Sequence, residues 1–310
     1  MSSSTMRRSL TRFVVSLATL AVLAPCQSGQ GQPGQGQSGE GQSGERQDPG
    51  KQKPTATAKK LTAWPKLKKT KSKAARAKAM QFRKRKAELR EKAEKQLIAI
   101  GAGVAPILIP MVNDRHDGLN EHLFAVLEAV ITPEHAALLA RETKRPSLEW
   151  RRYLMRKLAT FHDADIAPIM AAALKDKDGD IAFYAGLGLL SLGKHDGLDT
   201  VLLAAKQRWA EFGPLVSKVL PAGRSNATAM PIFEKIASAR PTDQMAGLRL
   251  LRYLMVKDQG ILLRHYLKSS DFTVKREAIN TARVLHGEKA LEKLASFQAI
   301  EMAKQWLTKI

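Results

Sequence analysis

The feature that most constrains the fold of this chain is a weak internal repeat. The stretch Val104–Leu108 (VAPIL) returns as Ile166–Met170 (IAPIM) and again as Ala229–Phe233 (AMPIF), at spacings of 62 and 63 residues. Predicted turns also fall halfway between these copies, so the unit is about 31 residues long. A unit of this length holds two short amphipathic helices, which bury their apolar faces only when neighbouring units stack on them.

Turns are predicted at seven positions along the chain, about 31 residues apart except for one step of 35. They fall at Ile100-Gly101, Ile131-Thr132, Phe161-His162, Leu192-Gly193, Pro221-Ala222, Val256-Lys257 and His286-Gly287. Pro106, Pro168 and Pro231 are each expected to begin a second helix. Proline lacks a backbone N–H, and at the first helical position this group would have no acceptor within the helix. No run shows the two-residue alternation of a strand. Residues 79–310 are therefore predicted to be all-α, as about seven degenerate helix pairs.

Two of these units carry the pattern of a known repeat family. Residues 271–287 open with Asp271, continue with Val274-Lys275-Arg276 and end at His286-Gly287. Residues 176–193 (DKDGDIAFYAGLGLLSLG) follow the same outline without the arginine. The pattern resembles HEAT-like repeats of the phycobilin-lyase type, as in exported bacterial HEAT-repeat proteins. The resemblance implies an α-solenoid over residues 101–310, and it leaves the function open.

The N-terminus predicts an export signal. Three arginines precede the 12-residue apolar stretch Phe13–Ala24, which is too short to span a membrane and suits the core of a signal peptide, placed at residues 1–26. Residues 23–26 resemble a bacterial lipobox, with the only cysteine, Cys26, as the lipid-bearing residue. Lipidation at Cys26, cleavage without a lipid, and an unprocessed N-terminus remain open. We expect an exported protein, periplasmic or envelope-associated as a possible lipoprotein, or alternatively secreted.

Two segments separate this signal from the repeats. Residues 27–64 are rich in Gly, Gln, Ser and Lys and are predicted to form a disordered linker, because this composition cannot bury apolar surface. Residues 65–100 are predicted to form one basic amphipathic helix, whose second half joins the first repeat. The net charge of +22 is concentrated there: residues 61–96 hold 14 basic and 3 acidic side chains, whereas residues 97–310 hold 29 and 23.

The predicted basic helix has two faces of different character. Its apolar stripe is Ala75, Ala79, Phe82, Leu89, Ala93, Leu97 and Ile100. The residues expected to contact an anionic partner are Lys66, Lys68, Lys69, Lys71, Lys73, Arg76, Lys78, Arg83 and Lys84. Such a partner is a lipid headgroup, a phosphate backbone or an acidic protein. The alternatives are a solvated face without a ligand and a helix that only caps the first repeat.

No catalytic, cofactor-binding or metal-binding residue is predicted. Asp176, Asp178 and Asp180 begin like a calcium loop, but Ile181 and Leu187 occupy the positions that require Gly and Glu. These aspartates are instead expected at a turn between repeats, with Asp as the helix N-cap. The chain has no zinc-binding histidine motif, no nucleophile with a partner base and no phosphate-binding glycine loop.

The function predicted from the sequence is a non-enzymatic protein–protein interaction scaffold. Its partner, an unidentified protein or peptide, is expected on the inner curve of the solenoid, formed by the second helices at 104–113, 133–142, 164–175, 196–207, 227–238 and 289–297. The alternative is a nucleic-acid-binding HEAT-like protein of the alkylated-base glycosylase type, or another binder of anionic ligands through the basic helix. Export disfavours nucleic acid as the partner, and a membrane is expected only through a lipid anchor.

Overall fold

The computed structural model describes residues 60–310, and within this range every regular element is a helix. The predicted all-α class is therefore confirmed for these residues. The signal peptide with Cys26, and the linker as far as residue 59, lie outside the described residues. The last linker residues belong to the helical body, because the Leu61 N–H donates to the Glu134 carbonyl at 3.0 Å and Trp64 stacks on His135. The predicted linker boundary at residue 64 is thus too late.

Fifteen α-helices follow one another in residues 60–310, several of them extended by 3-10 turns. The first eight are α1 (Lys69–Ala79), α2 (Ala87–Ile98), α3 (Ala105–Leu108), α4 (Asp117–Val130), α5 (Ala136–Ala140), α6 (Leu148–Ala159), α7 (Ala167–Ala173) and α8 (Gly179–Ser191). The others are α9 (Leu198–Gln207), α10 (Trp209–Val219), α11 (Asn226–Ile236), α12 (Pro241–Leu254), α13 (Arg264–Leu267), α14 (Phe272–Leu285) and α15 (Ser296–Lys309).

The predicted turns coincide with breaks between helices. Gly101, Gly193 and Gly287 follow α2, α8 and α14 with positive φ values of 84°, 75° and 84°. Glycine adopts this left-handed conformation without the steric penalty of a Cβ, which is why it commonly ends a helix. After α6 the same role falls to His162, whose φ is 52°. The repeat spacing read from the sequence therefore marks real helix ends.

The starts of the helices follow the predicted capping in part. The Asp178 carboxylate accepts from the Ile181 N–H at 3.1 Å, and the Asp271 carboxylate caps α14 in the same way, which confirms aspartate as the N-cap. Pro106 lies in the first turn of α3 as predicted. Pro231 instead lies inside α11, because Ser225 caps that helix five residues earlier than the proline signal placed it.

The basic helix predicted over residues 65–100 is two helices. α1 ends in the 3-10 turn Met80–Arg83, Lys84 and Lys86 are extended, and α2 begins at Ala87. The break buries Phe82, whose ring stacks on His122 with ring centroids 5.3 Å apart. Helix-forming composition alone misses this break, because no Gly or Pro marks it.

The second helix predicted at 289–297 is wrong. Residues 288–295 are not helical, and α15 begins only at Ser296. The cause is Asn280 of α14, whose side chain accepts from the Leu291 N–H at 2.7 Å and donates to the Leu291 carbonyl at 3.1 Å. An amide that occupies both backbone groups of one residue holds this segment extended along α14.

Two apolar clusters form the core, and α8 contributes to both. Phe183 and Leu190 pack with the helices that follow, and Ile181 and Leu189 pack with those that precede. A helix that is apolar all round is a buried helix. Gly188 of α8 lets α7 approach closely, since a Cβ there would lie 2.6 Å from the Met170 sulfur. α8 is thus the link between the first and second halves of the core.

No single helix among residues 60–310 is long and apolar enough to cross a membrane. Two pairs of segments reach the required length and composition only when taken together. They are Ala87–Ile98 with Ala102–Met111, bent by 112°, and Asp117–Val130 with Pro133–Lys144, bent by 106°.

Candidate functional site

The predicted anion-contacting residues form one continuous basic segment, Lys66–Lys86. Of the predicted residues, the exposed ones are Lys66, Lys68, Lys69, Lys71, Lys73, Arg76, Arg83 and Lys84. Lys78 is half-buried, and its ammonium group donates to the Gln96 side chain. Eight of the nine side chains are therefore placed where a partner can reach them.

No salt bridge within residues 60–310 neutralises the charge of the basic segment. The segment holds eleven Lys and Arg residues and no Asp or Glu. None of the eleven forms a salt bridge with another residue of the range 60–310. Like charges at this density repel one another, so an anion that approaches the segment lowers its electrostatic free energy.

The underside of the basic segment is part of the core. Ala75, Ala79 and Phe82 are fully buried, together with Leu97 of α2, as the predicted stripe requires. Leu89 departs from the stripe, because 40% of its surface is exposed. α1 also packs against α3, so the segment covers the first repeat and displays its cations from a fixed support. The capping role and the display of cations are therefore compatible.

The predicted second helices α9 and α11 border a groove of about 440 Å³. Leu203 projects there with 53% of its surface exposed. The charges beside it are paired, Lys206 with Asp243 at 2.6 Å and Lys235 with Asp199 at 2.6 Å. An apolar floor with neutralised charges on its sides suits a peptide better than a phosphate backbone.

The three aspartates that resemble the start of a calcium loop form salt bridges with arginines. Asp176 pairs with Arg151, Asp178 with Arg152 at 2.6 Å and Asp180 with Arg208 at 2.5 Å. Burial raises the pKa of Asp178, but its hydrogen bonds with Arg152 and the Ile181 N–H act more strongly together and hold the pKa below its usual value. These pairs connect α6, α8 and the start of α10.

Histidines in the described range serve local packing. His122 pairs with Glu94 and lies against Phe82, and the His162 imidazole contacts the Ser191 hydroxyl at 3.1 Å. Burial lowers the pKa of His162. Within residues 60–310 no group of three or more His, Cys, Asp or Glu side chains is arranged to hold a metal ion.

Sequence reasoning missed a second charged site, a cleft of about 560 Å³ between α10, α12 and α14. We call it the arginine cleft; its charged residues are Arg249, Arg252, Arg276, Glu277 and Glu292. Three guanidinium groups surround the buried Glu277 carboxylate. The nitrogen–oxygen distances are 3.4 Å to Arg249, 2.5 Å to Arg252 and 3.1 Å to Arg276.

The walls of the arginine cleft fix these side chains. Trp209 of α10 lies under the guanidinium groups of Arg249 and Arg252, 5.3 and 5.9 Å from their central carbons. Gly213, one turn further along α10, gives the indole ring room, since a Cβ there would lie 3.1 Å from it. The segment held by Asn280 supplies the opposite wall.

Electrostatic strain is visible at Arg249. Burial lowers its pKa, although the adjacent Glu277 acts in the opposite direction. The sequence signal for this site is the pair Arg249 and Arg252, three residues apart on the otherwise apolar face of α12 (GLRLLRYL).

No protein-family model matches the chain, and no curated protein matches it either.

Proposed function

We propose that this protein is a non-enzymatic interaction scaffold, a HEAT-like α-solenoid that binds an anionic partner through its basic segment and a protein or peptide along its second helices. The observation that carries the proposal is the basic segment itself. Eleven cations that form no salt bridge within residues 60–310 are held on a folded segment whose underside belongs to the core. Charge repulsion of this kind is unfavourable for folding, and a partner that neutralises the charge would relieve it.

The solenoid is supported by the spacing of the helix ends. Left-handed residues at 101, 162, 193 and 287 end helices at multiples of about 31 residues. Successive first helices α6 and α8 pack together, as do α12 and α14. This is the neighbour-on-neighbour packing that repeat proteins use.

The anionic partner is tested with vesicles. Vesicles of phosphatidylglycerol and phosphatidylcholine should bind the full chain, and vesicles of phosphatidylcholine alone should not. Replacing Lys69, Lys71 and Lys73 by Gln should weaken binding about 100-fold, since each basic residue near an anionic surface contributes about 1 kcal/mol. The matched control replaces Lys175, Lys177 and Lys194, which are equally exposed on the repeats. Equal losses in both variants would contradict a role specific to the basic segment.

The protein partner is tested at the groove between α9 and α11. We expect proteins captured from the envelope fraction by the wild-type chain to be lost with Leu203→Glu. They should be kept with Ile261→Glu, because Ile261 is similarly exposed, at 52%, and lies outside the groove. If both variants capture the same proteins, the partner binds outside the groove between α9 and α11.

Export remains part of the proposal and depends on residues 1–26, which the structure does not describe. If Cys26 carries a lipid, Cys26→Ser should move the protein from the membrane fraction to the soluble fraction. A wild-type protein that is soluble and shortened at its N-terminus indicates cleavage without a lipid. A full-length protein that stays in the cytoplasm contradicts export.

A further inference from the structure

The arginine cleft holds more positive than negative charge in a place largely withdrawn from water. Glu277 is 4% exposed and Arg252 is 5% exposed, whereas the second carboxylate, Glu292, is exposed at the edge of the cleft. Three guanidinium groups therefore share one buried carboxylate. Buried charges are stable when they are balanced and hydrogen-bonded, so an anion that enters the cleft would offset its excess of positive charge.

Hydrogen-bond donors are also left over in the arginine cleft. The Arg252 Nε is buried and has no partner among residues 60–310. Arg276 is half-buried and uses only Nη2 on the protein, in its bond to Glu277. The remaining N–H groups of Arg276 are free for a ligand in the cleft. A planar guanidinium fits two oxygens of a phosphate or carboxylate at once.

The rest of the cleft mixes apolar side chains with the polar Ser217, Tyr253 and Asn280, and the cleft has the size of a small-molecule site. Trp209, Pro214 and Leu291 line it beside the charged groups. Its volume of about 560 Å³ lies within the range typical of ligand pockets. The indole ring carries the guanidinium groups over its face, and the rest of its half-buried surface adds apolar area that the body of a ligand can contact.

We propose that the arginine cleft binds a small organic oxyanion, a phosphate or carboxylate on an apolar or ring-shaped body. Arg276 and Arg252 contact the oxyanion, and Trp209 contacts the body. The site lies on α10, α12 and α14, apart from the basic segment on α1, so it does not depend on the function proposed above. A purely structural role, in which the arginines only brace α12 against α14, is the reading that the experiment must separate.

Isothermal titration of the full chain tests the proposal, with phenyl phosphate, benzoate and inorganic phosphate as probes. Phenyl phosphate or benzoate should bind with one site per chain, and the tighter of the two identifies the oxyanion. Arg276→Gln should weaken this binding at least tenfold. The matched control is Lys275→Gln on the same helix, a cation that lies outside the cleft and forms no salt bridge within residues 60–310, and it should bind as the wild type does.

A second variant tests the cleft without changing an arginine. Ala210 is exposed at the mouth of the cleft, so Ala210→Glu adds a repelling carboxylate without disturbing the core and should also weaken binding at least tenfold. Replacing Lys69, Lys71 and Lys73 by Gln should leave it unchanged. The proposal is overturned if the wild type binds neither organic probe at millimolar concentration. It is also overturned if both cleft variants bind like the wild type, or if the lysine variant alone loses binding.

Discussion

Removing the Glu277 carboxylate should destabilise the fold more than removing any exposed carboxylate. Glu277→Gln keeps the shape of the side chain but leaves the guanidinium groups of Arg249 and Arg252 without their counter-ion. The side chains of Arg252 and Glu277 are each 6% exposed, so water cannot replace the lost partner. Breaking one side of a buried ion pair costs about 3–5 kcal/mol. We expect a loss of this size in the free energy of unfolding.

Urea unfolding followed by circular dichroism at 222 nm measures this loss. The midpoint should fall while the dependence of the free energy on urea concentration stays the same, because the surface exposed on unfolding is unchanged. Glu288→Gln is the control. Glu288 pairs with Arg283 at 2.9 Å but is itself exposed, and an exposed pair contributes about 0–1 kcal/mol.

One result would refute this reasoning. If the free energy of unfolding of Glu277→Gln lies within about 1 kcal/mol of the wild-type value, the three arginines are solvated well enough to need no carboxylate. The charge imbalance of the cleft then has no effect on stability.

A further expectation concerns the bound oxyanion. Phenyl phosphate or benzoate should raise the stability of Glu277→Gln, because a ligand that binds only the folded state stabilises it.

Three further outcomes are expected. Gly287→Ala should cost about 1–2 kcal/mol in urea unfolding from backbone strain alone, since φ is 84° and no atom lies within 4 Å of the added Cβ; an unchanged stability would contradict the left-handed turn. Asp271→Ala should cost about 1 kcal/mol by removing the α14 cap, and Asp271→Asn should restore most of it. Hydrogen bonds from Thr273 and the Val274 N–H lower the pKa of Asp271. The carboxylate therefore contributes fully to the free energy of unfolding above the unfolded pKa of about 3.9, and this contribution is lost as the pH falls through the folded pKa. Between pH 6 and pH 2, Asp271→Ala should therefore lose less stability than the wild type does.

The sequence predicts the helical class and the helix ends well because both depend on local chemistry. Gly193 and Gly287 end helices since only a residue without a Cβ is unstrained at positive φ, and Asp178 starts one since its carboxylate accepts a free N–H. These signals act within a few residues and need no tertiary context. His162 ends a helix in the same left-handed conformation, at a turn that the repeat spacing predicts.

Predictions failed where distant contacts override local preference. The basic segment breaks because Phe82 reaches His122, forty residues away, and the segment before α15 stays extended because Asn280 holds Leu291. The arginine cleft was missed for the same reason. Its groups come from three helices, and the spacing of Arg249 and Arg252 on α12 is the one signal within a single element.

The two basic surfaces use charge in different ways, and the chemistry of the side chains explains the division. Arginines such as Arg152 and Arg252 bridge neighbouring helices, because a planar guanidinium can bind a carboxylate at fixed geometry in a half-buried site. Apart from Lys78, the lysines of the basic segment are exposed, hydrated point charges, which suits a partner without fixed geometry. Salt screens exposed charges far more than buried ones. Raising the ionic strength should therefore release an anionic partner from the basic segment while the arginine pairs continue to hold the helices together.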